Sequence, residues 1–140
     1  MSNAFAPRGT QLMRSPDGAT YTKIGEAIKI DNSGMKADLA DVTNMDSPSS
    51  FKEYLPTLLD GGEVKIDCNF VNTDAIQNDL MNDFTGQTLL YWRVQLPSAR
   101  GKFEFQGYIT GLDTSLDVPK QATRAVTIKI TGPNTWTPNV

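Results

Sequence analysis

Strict alternation between apolar and polar side chains makes the segment from residue 63 to residue 71 a β-strand with one buried face. The apolar members are Val64, Ile66, Cys68 and Phe70, and the polar residues between them are Lys65, Asp67 and Asn69. A strand with this pattern needs an apolar layer on one side and a polar environment on the other. The rest of the chain must therefore supply a sheet and a core that cover this face.

The segment that leads into this strand carries many apolar side chains without a strand pattern. They are Phe51, Tyr54, Leu55, Leu58 and Leu59. Their spacing fits one helical face, with Ser50 and Glu53 as a capping box, but Pro56 would break such a helix because it lacks an N–H donor. We therefore predict a long loop over residues 46–61, with at most one helical turn. Apolar groups on a long loop are typical of a contact surface, and the pattern leaves open whether they cover this subunit's core or a neighbour's.

Six further segments have the composition or the alternation of strands. They cover residues 9–14, 21–30, 36–45, 88–96, 102–109 and 124–131. The side chains predicted to face the core are Leu12, Ile24, Ile28, Ile30, Leu90, Trp92, Val94, Leu96, Phe103, Phe105, Ile109, Val126, Ile128 and Ile130. Gly25 and Gly107 indicate bulges, and Gly132 with Pro133 is predicted to end the last strand.

One segment changes to a helical period. The apolar side chains that recur every four residues are Ile76, Leu80 and Phe84. This spacing predicts a helix over residues 74–84, with Asp74 and Gln77 as a capping-box-like start and Gly86 as the C-terminal glycine. Seven strands and one helix without regular βα alternation predict a mainly β fold, namely a two-sheet antiparallel β-sandwich or barrel with one flanking α-helix and a long inter-strand loop.

The length of the chain predicts a single domain over residues 1–140, because a chain of this size buries about 68–70% of its unfolded surface in one core. An N-terminal arm over residues 1–8 and a C-terminal tail over residues 133–140 lie outside the patterned segments. Neither an apolar run of membrane-spanning length nor the apolar core of a signal peptide is present, and we expect the protein to be made in the cytoplasm.

Composition narrows the possible chemistry. The chain has no histidine, one cysteine and a net charge of −3. The lack of histidine removes the commonest metal ligand and general acid–base group, and the single cysteine allows no intrachain disulfide. An acidic chain without a basic cluster is not expected to bind the phosphates of nucleic acid tightly. With no phosphate loop and no activated nucleophile, we predict no enzyme, no cofactor and no metal.

The candidates for chemistry each have a simpler interpretation. Two carboxylate pairs with glycosidase-like potential are Asp38 with Asp41 and Asp79 with Asp83. The second pair is predicted to lie on the solvent side of the helix. Calcium-like stretches at 31–34 and 112–117 match no defined ligand spacing and are interpreted as turns. Cys68 is interpreted as a small core residue.

The order of these features resembles the tail tube proteins of long-tailed bacteriophages, in particular the non-contractile type (siphophage major tail protein). The matching stretches are GTQLM, YTKIGEAIKI, ADLADVTNMDSPSSFKEYLP, LLDGGEVKIDCNF, DAIQNDLMNDF, LLYWRVQLP, KFEFQGYITGLDTSL and VTIKITGP. They cover nearly the whole chain from Gly9 to Gly132. The most specific part is the D-x-T segment followed by the long loop and the LLDGGEV re-entry at residues 58–64.

The resemblance implies a structural virion protein. Six copies would form a ring, and rings would stack into a hollow tube that encloses the tape-measure protein and conducts DNA into the host. Inner sheets would join edge to edge around the lumen, and the long loop would reach an adjacent ring. The implied contact residues are Phe51, Tyr54, Leu55, Leu58, Leu59 and Asp60, with Trp136 as a possible neighbour contact. The implied partners are further copies of the chain, the tape-measure, tail-terminator and tail-tip proteins, and DNA that passes without tight binding; no membrane is involved.

Two other interpretations stay open at this point. Tail terminator proteins and the tube protein of type VI secretion share this fold class, and fold alone does not separate them from a tail tube protein. A monomeric carbohydrate-binding β-sandwich is an alternative of a different class. The assembly state separates the two classes, because only a tube protein forms rings or tubes.

Overall fold

The structure is a computed structural model that describes residues 4–47, 51–71 and 73–138. Its strands are β1 (Gln11–Ser15), β2 (Thr22–Lys23), β3 (Ala27–Ser33), β4 (Lys36–Asp41), β5 (Tyr54–Asp60), β6 (Glu63–Asn69), β7 (Leu90–Gln95), β8 (Gly101–Ser115) and β9 (Thr123–Pro138). The helix α1 spans Ala75–Gly86, and a short 3-10 turn at Pro97–Ala99 joins β7 to β8. The prediction of a mainly β, antiparallel fold with one α-helix is confirmed.

The strands form two antiparallel sheets of very different size. The large sheet has seven strands in the order β2-β1-β7-β8-β9-β6-β3, and it curls so that β1 contacts β3 although four strands lie between them. The small sheet contains only β4 and β5. In the chain, β4 follows β3 and β5 precedes β6. The small sheet is therefore a continuation of the β3–β6 pair, past the point where that pair leaves the large sheet.

The core lies on the concave side of the large sheet, under α1. It consists of Leu12, Ile24, Val64, Ile66, Leu80, Leu90, Trp92, Val94, Phe105, Ile109, Val126, Ile128 and Ile130. All of these side chains were predicted to be inward. Ile28 was also predicted inward, but it is 58% exposed because the register between β3 and β6 shifts there and turns its side chain outward. Phe103 is only half-buried and packs at the rim of the core.

The helix begins and ends close to the predicted positions. Asp74 caps it by accepting a hydrogen bond from Ile76 N at 3.0 Å, but Gln77 does not complete a capping box. Its buried amide instead accepts from Val71 N at 3.0 Å and ties α1 to the chain before it. The left-handed residue at the C-terminal end is Gln87, at φ 50°, and not the predicted Gly86. In the described residues, no helix has the length and apolar content needed to span a membrane.

The last strand is longer than the sequence predicts. Residues 132–134 form a bulge opposite Phe105, and β9 then resumes its pairing with β8 as far as Pro138. The predicted end at Gly132-Pro133, and the predicted tail over residues 133–140, are therefore wrong as far as Pro138; residues 139–140 lie outside the described residues. A proline inside a bulge removes no ladder hydrogen bond, so the strand tolerates it.

A projecting ribbon as the candidate interaction surface

The apolar segment before β6 forms half of a two-stranded ribbon. β5 pairs antiparallel with β4, from Lys36 opposite Asp60 to Asp41 opposite Tyr54. The predicted loop over residues 46–61 is thus wrong for its second half, which is strand. The connection that remains runs from 42 to 53, and its residues 48–50 lie outside the described residues. We refer to residues 36–47 and 51–60 as the ribbon.

Pro56 explains why the ribbon has an irregular register. A proline excludes the helix that the apolar spacing would otherwise favour, and it is tolerated at edge strands and bulges. The register between β4 and β5 shifts between Ala37 and Leu39, and Leu39 lies opposite Pro56. The sequence signal was correct in excluding a helix, but it did not reveal the pairing with β4.

The ribbon exposes apolar side chains on both faces. Paired residues of an antiparallel ladder share a face, and neighbours along a strand alternate. Leu39 and Tyr54 therefore lie on one face, and Ala40 and Leu55 lie on the other. All predicted contact residues except Asp60 are exposed, up to 83% for Leu59 and 72% for Phe51. Within the described chain, no other element covers either face.

The base of the ribbon is fixed to the large sheet. Asp60 accepts a hydrogen bond from Gly62 N at 2.8 Å and pairs with Lys129 Nζ on β9 at 3.0 Å. The Gly62 N–H, followed by Lys129, lowers the pKa of the Asp60 carboxyl. Gly62 itself has a φ of +83°, and a side chain there would collide with Ser33 O. The structure therefore places Asp60 at the junction, where it orients the ribbon, whereas the sequence grouped it with the contact residues.

The connection at the far end of the ribbon is also ordered by hydrogen bonds. Asp41 accepts from the Thr43 hydroxyl at 2.6 Å and from Thr43 N at 3.0 Å. These bonds from Thr43 lower the pKa of Asp41. Glu53 accepts from the Ser47 hydroxyl at 2.8 Å, and Glu53 N donates to the Thr43 hydroxyl at 2.8 Å. Both strands of the ribbon thus stay joined just beyond their last paired residues.

The carboxylate pairs do not form a catalytic site. Asp38 and Asp41 lie on the ribbon and are exposed. Asp79 is exposed on α1, as predicted, but Asp83 is buried and forms a bidentate pair with Arg14 on β1, at 2.6 and 2.9 Å. The prediction of a solvated face is wrong for Asp83, because Arg14, which is 69 residues away in sequence, forms an ion pair with it in the core.

Neither calcium-like stretch gathers ligands. No group of three or more acidic, histidine or cysteine side chains could hold a metal ion in the part of the chain that the structure describes. Cys68 is fully buried, its thiol lies 3.5 Å from Arg124 O, and burial raises the pKa of the thiol. A thiol in this environment is a core residue and not a nucleophile.

A second exposed feature, of which the sequence analysis named only Trp136, lies at the start of β8. Trp136 on β9 packs on Phe103 with ring centroids 4.6 Å apart, and it stays 45% exposed. The Arg100 guanidinium stacks over the Phe5 ring at 4.8 Å. The sequence placed Trp136 in a predicted tail, because only the fold brings the N-terminal segment and the end of β9 together.

These features are typical of a structural subunit. The fold offers a rigid β-framework and a projecting apolar ribbon, and it assembles no catalytic constellation among the described residues. The model of the lambda phage tail tube protein family (TTP) matches residues 5–137. The chain therefore belongs to the lambda phage tail tube protein family. The resemblance seen in the sequence is confirmed, and the family match favours a tail tube protein over the other interpretations.

Solved structures support the same fold. The tail of an empty gene transfer agent (GTA) particle, refined helically with C6 symmetry, aligns at a TM-score of 0.78 and 17% identity, over 96% of this chain and 99% of that one. The phage SPP1 tail tube aligns at 0.67 and 10% identity, over 94% and 77%. The 6-fold symmetrised anti-feeding prophage (AFP) baseplate aligns at 0.76 and 6% identity, over 99% and 98%. No curated protein matches the chain in sequence.

Proposed function

We propose that six copies of this chain close into a ring and that the rings stack into a hollow tail tube. The tube encloses the tape-measure protein during assembly and conducts DNA to the host during ejection. The tail terminator and tail-tip proteins bind its two ends. In this proposal the protein is made and assembled in the host cytoplasm and functions in the virion.

The observation that carries the proposal is the ribbon. A single two-stranded hairpin is at best marginally stable in water, and this one exposes apolar side chains on both faces. Such a surface gains free energy only when other chains cover it, at roughly 25 cal/mol per Å² of apolar area removed from water. Because both faces are apolar, the ribbon is suited to lie between neighbouring copies and not merely on one of them.

Six-fold symmetry is supported by the relatives. The GTA tail was refined with C6 symmetry, and the AFP baseplate was symmetrised six-fold. A repeated heterologous contact generates a closed ring when its rotation closes and a filament when it does not. The ribbon, which projects from one edge of the subunit, is suited to such a head-to-tail contact.

The conduit role is supported by the charge of the chain. Outside the ribbon, eleven basic side chains balance eleven acidic ones, and the large sheet interleaves both signs, as in the Arg93–Glu104–Lys102 cluster. A wall without a basic stripe should not retain phosphates. Gel-shift titration at about 0.15 M salt, where the Debye length is ~8 Å, should therefore show no retention of DNA at micromolar protein. Salt-sensitive micromolar binding would contradict the conduit role.

The assembly role is tested by electron microscopy of the purified chain. The wild type should form rings or tubes. The double variant Phe51→Asp with Leu55→Asp should form none, because burying an unpaired carboxylate at an apolar contact costs several kcal/mol. Circular dichroism should show the wild-type melting temperature for the variant, since both positions are exposed.

A matched control keeps the same charge change away from the ribbon. Thr110→Asp with Gln106→Asp places two carboxylates at exposed positions of β8, and this variant should melt slightly lower but still form tubes. If the ribbon variant assembles as the wild type does, the ribbon is not an assembly contact. A wild type that stays monomeric at high concentration would exclude the proposed function.

A further inference from the structure

The net charge of the chain is concentrated in the ribbon. Of its charged side chains, the two basic ones are Lys36 and Lys52, and the five acidic ones are Asp38, Asp41, Asp46, Glu53 and Asp60. The whole chain has a net charge of −3, so the ribbon accounts for all of it. A surface that is both apolar and acidic needs a partner that is apolar and basic.

The described chain contains a surface of that kind. It consists of Phe5, Arg8, Arg100 and Trp136, and we refer to it as the basic–aromatic patch. Phe5 and Trp136 are 41% and 45% exposed, and the two arginines are also exposed. Arg100 stacks on Phe5. An alanine Cβ at Gly9 would lie 3.3 Å from Pro97 in the β7–β8 turn, which places neighbouring Arg8 at the same end of the sheet.

The two arginines of the patch have no carboxylate partner within the described chain. The nearest carboxylate along β8 is Glu104, and Arg93 and Lys102 already pair with it at 3.2 and 3.3 Å. Unpaired arginines beside exposed aromatic rings are the composition that interface hot spots favour. The patch therefore combines exposed apolar area with a positive charge, which complements the apolar and acidic ribbon.

We propose that the ribbon of one copy docks on the basic–aromatic patch of a neighbouring copy. This inference rests on the proposed function and names the acceptor surface for the ribbon. Both surfaces are exposed in the same chain, so the ribbon does not cover its own patch. A contact between two different surfaces of identical copies is heterologous and can repeat from copy to copy, which a tube requires.

Two complementary variants test the contact directly. The ribbon variant, Phe51→Asp with Leu55→Asp, keeps an intact patch. The patch variant, Arg8→Glu with Arg100→Glu, keeps an intact ribbon. Each alone should form no tubes and should sediment as one small species in analytical ultracentrifugation, whereas a 1:1 mixture should join the two species into a dimer and grow no further, because each such pair has only one intact ribbon–patch contact. Salt should weaken this dimer at least tenfold between 0.05 and 0.5 M NaCl, since screening shortens the Debye length from more than ~10 Å towards ~3 Å.

A second pair of charge reversals serves as a control. Lys23→Glu with Lys120→Glu makes the same change in net charge at exposed positions away from the patch, and this variant should assemble as the wild type does. If the patch variant also forms tubes while the ribbon variant does not, the inference is wrong and the proposed function stands. If the ribbon variant forms tubes as well, both fail. A mixture whose two components sediment as they do alone, at 100 times the wild-type assembly concentration, also overturns the inference.

Discussion

β5 and β6 follow one another with only Gly61 and Gly62 between them, yet they use their apolar side chains in opposite ways. In β6, Val64 and Ile66 are almost completely buried and pack in the core. In β5, every residue before Asp60 is exposed. The difference does not come from apolar content, which is at least as high in β5. It comes from the spacing of the apolar residues along each strand. In β6 they alternate with polar residues, whereas in β5 they lie on both faces.

A strand whose apolar side is not covered by its own subunit can be identified in the sequence, because such a strand lacks a polar face. A strand at the surface of a folded monomer needs one polar side, and a long, apolar edge invites pairing with other chains. β5 has neither a polar face nor a covering layer. We therefore assign its apolar surface to contacts between copies, and the buried face of β6 to the stability of each copy.

The largest expected effect separates two phenylalanines. Phe105→Ala should lower the free energy of unfolding by about 3–5 kcal/mol, the usual loss for a buried aromatic, because Phe105 is 4% exposed in the core. Phe51→Ala in the ribbon should leave it unchanged within about 0.5 kcal/mol. Urea unfolding of both variants measures the two values. Equal losses would mean that the ribbon belongs to the core of its own subunit.

The next effect compares two ion pairs. Arg14→Met should lower stability by about 3 kcal/mol, because it leaves Asp83 as a buried, unpaired carboxylate. Lys129→Met should lower it by less than about 1 kcal/mol, since both side chains of the Lys129–Asp60 pair at the ribbon base are partly exposed to solvent. Thermal melting of both variants tests the order. A larger loss for Lys129→Met would show that the ribbon base holds the fold together.

A smaller effect concerns the junction between the two regions. Gly132→Ala should cost about 1–2 kcal/mol from its left-handed backbone alone, because nothing lies near its Cβ position. Gly62→Ala has the same φ of +83° but adds the collision with Ser33 O, for a further loss of about 1–3 kcal/mol. Chemical denaturation separates the two variants. Identical stabilities of the two variants would show that the backbone of β3 and β6 shifts near Gly62 and relieves the collision.

The smallest effect is a pH dependence at the ribbon base. The folded-state pKa of Asp60 is lowered by the Gly62 N–H and by Lys129. Its contribution to stability is therefore present above the ordinary aspartate pKa and is lost as pH falls through the lowered value. NMR titration should show the Asp60 carboxyl titrating below its ordinary range in the wild type and higher in Lys129→Met. An identical titration in both proteins would contradict the Lys129 contact.

The sequence predicted those parts of the fold in which local pattern and tertiary environment agree. The alternation of β6 and β7 and the four-residue period of α1 predicted the buried side chains of these elements correctly. The class of protein followed from the order of the elements. Absence of histidine and of a nucleophile correctly indicated a structural protein.

The remaining features depend on contacts that no local pattern encodes. Ile28 faces outward because of a register shift against β6, and β9 continues past Pro133 because a bulge opposite Phe105 absorbs three residues. Asp83 is buried because Arg14 meets it across the core. The basic–aromatic patch likewise exists only once residues near both ends of the chain have come together.

We infer that the ribbon serves assembly and contributes little to the fold of each copy. Replacing Gly34–Gly62 by an Asn-Gly turn tests it most directly, since β3 and β6 remain paired up to Ser33 and Glu63 and this dipeptide closes tight two-residue hairpins. Electron microscopy and thermal melting of the shortened chain should show no tubes and a melting temperature within a few degrees of the wild type. An unfolded shortened chain, or one that still forms tubes, would contradict the account.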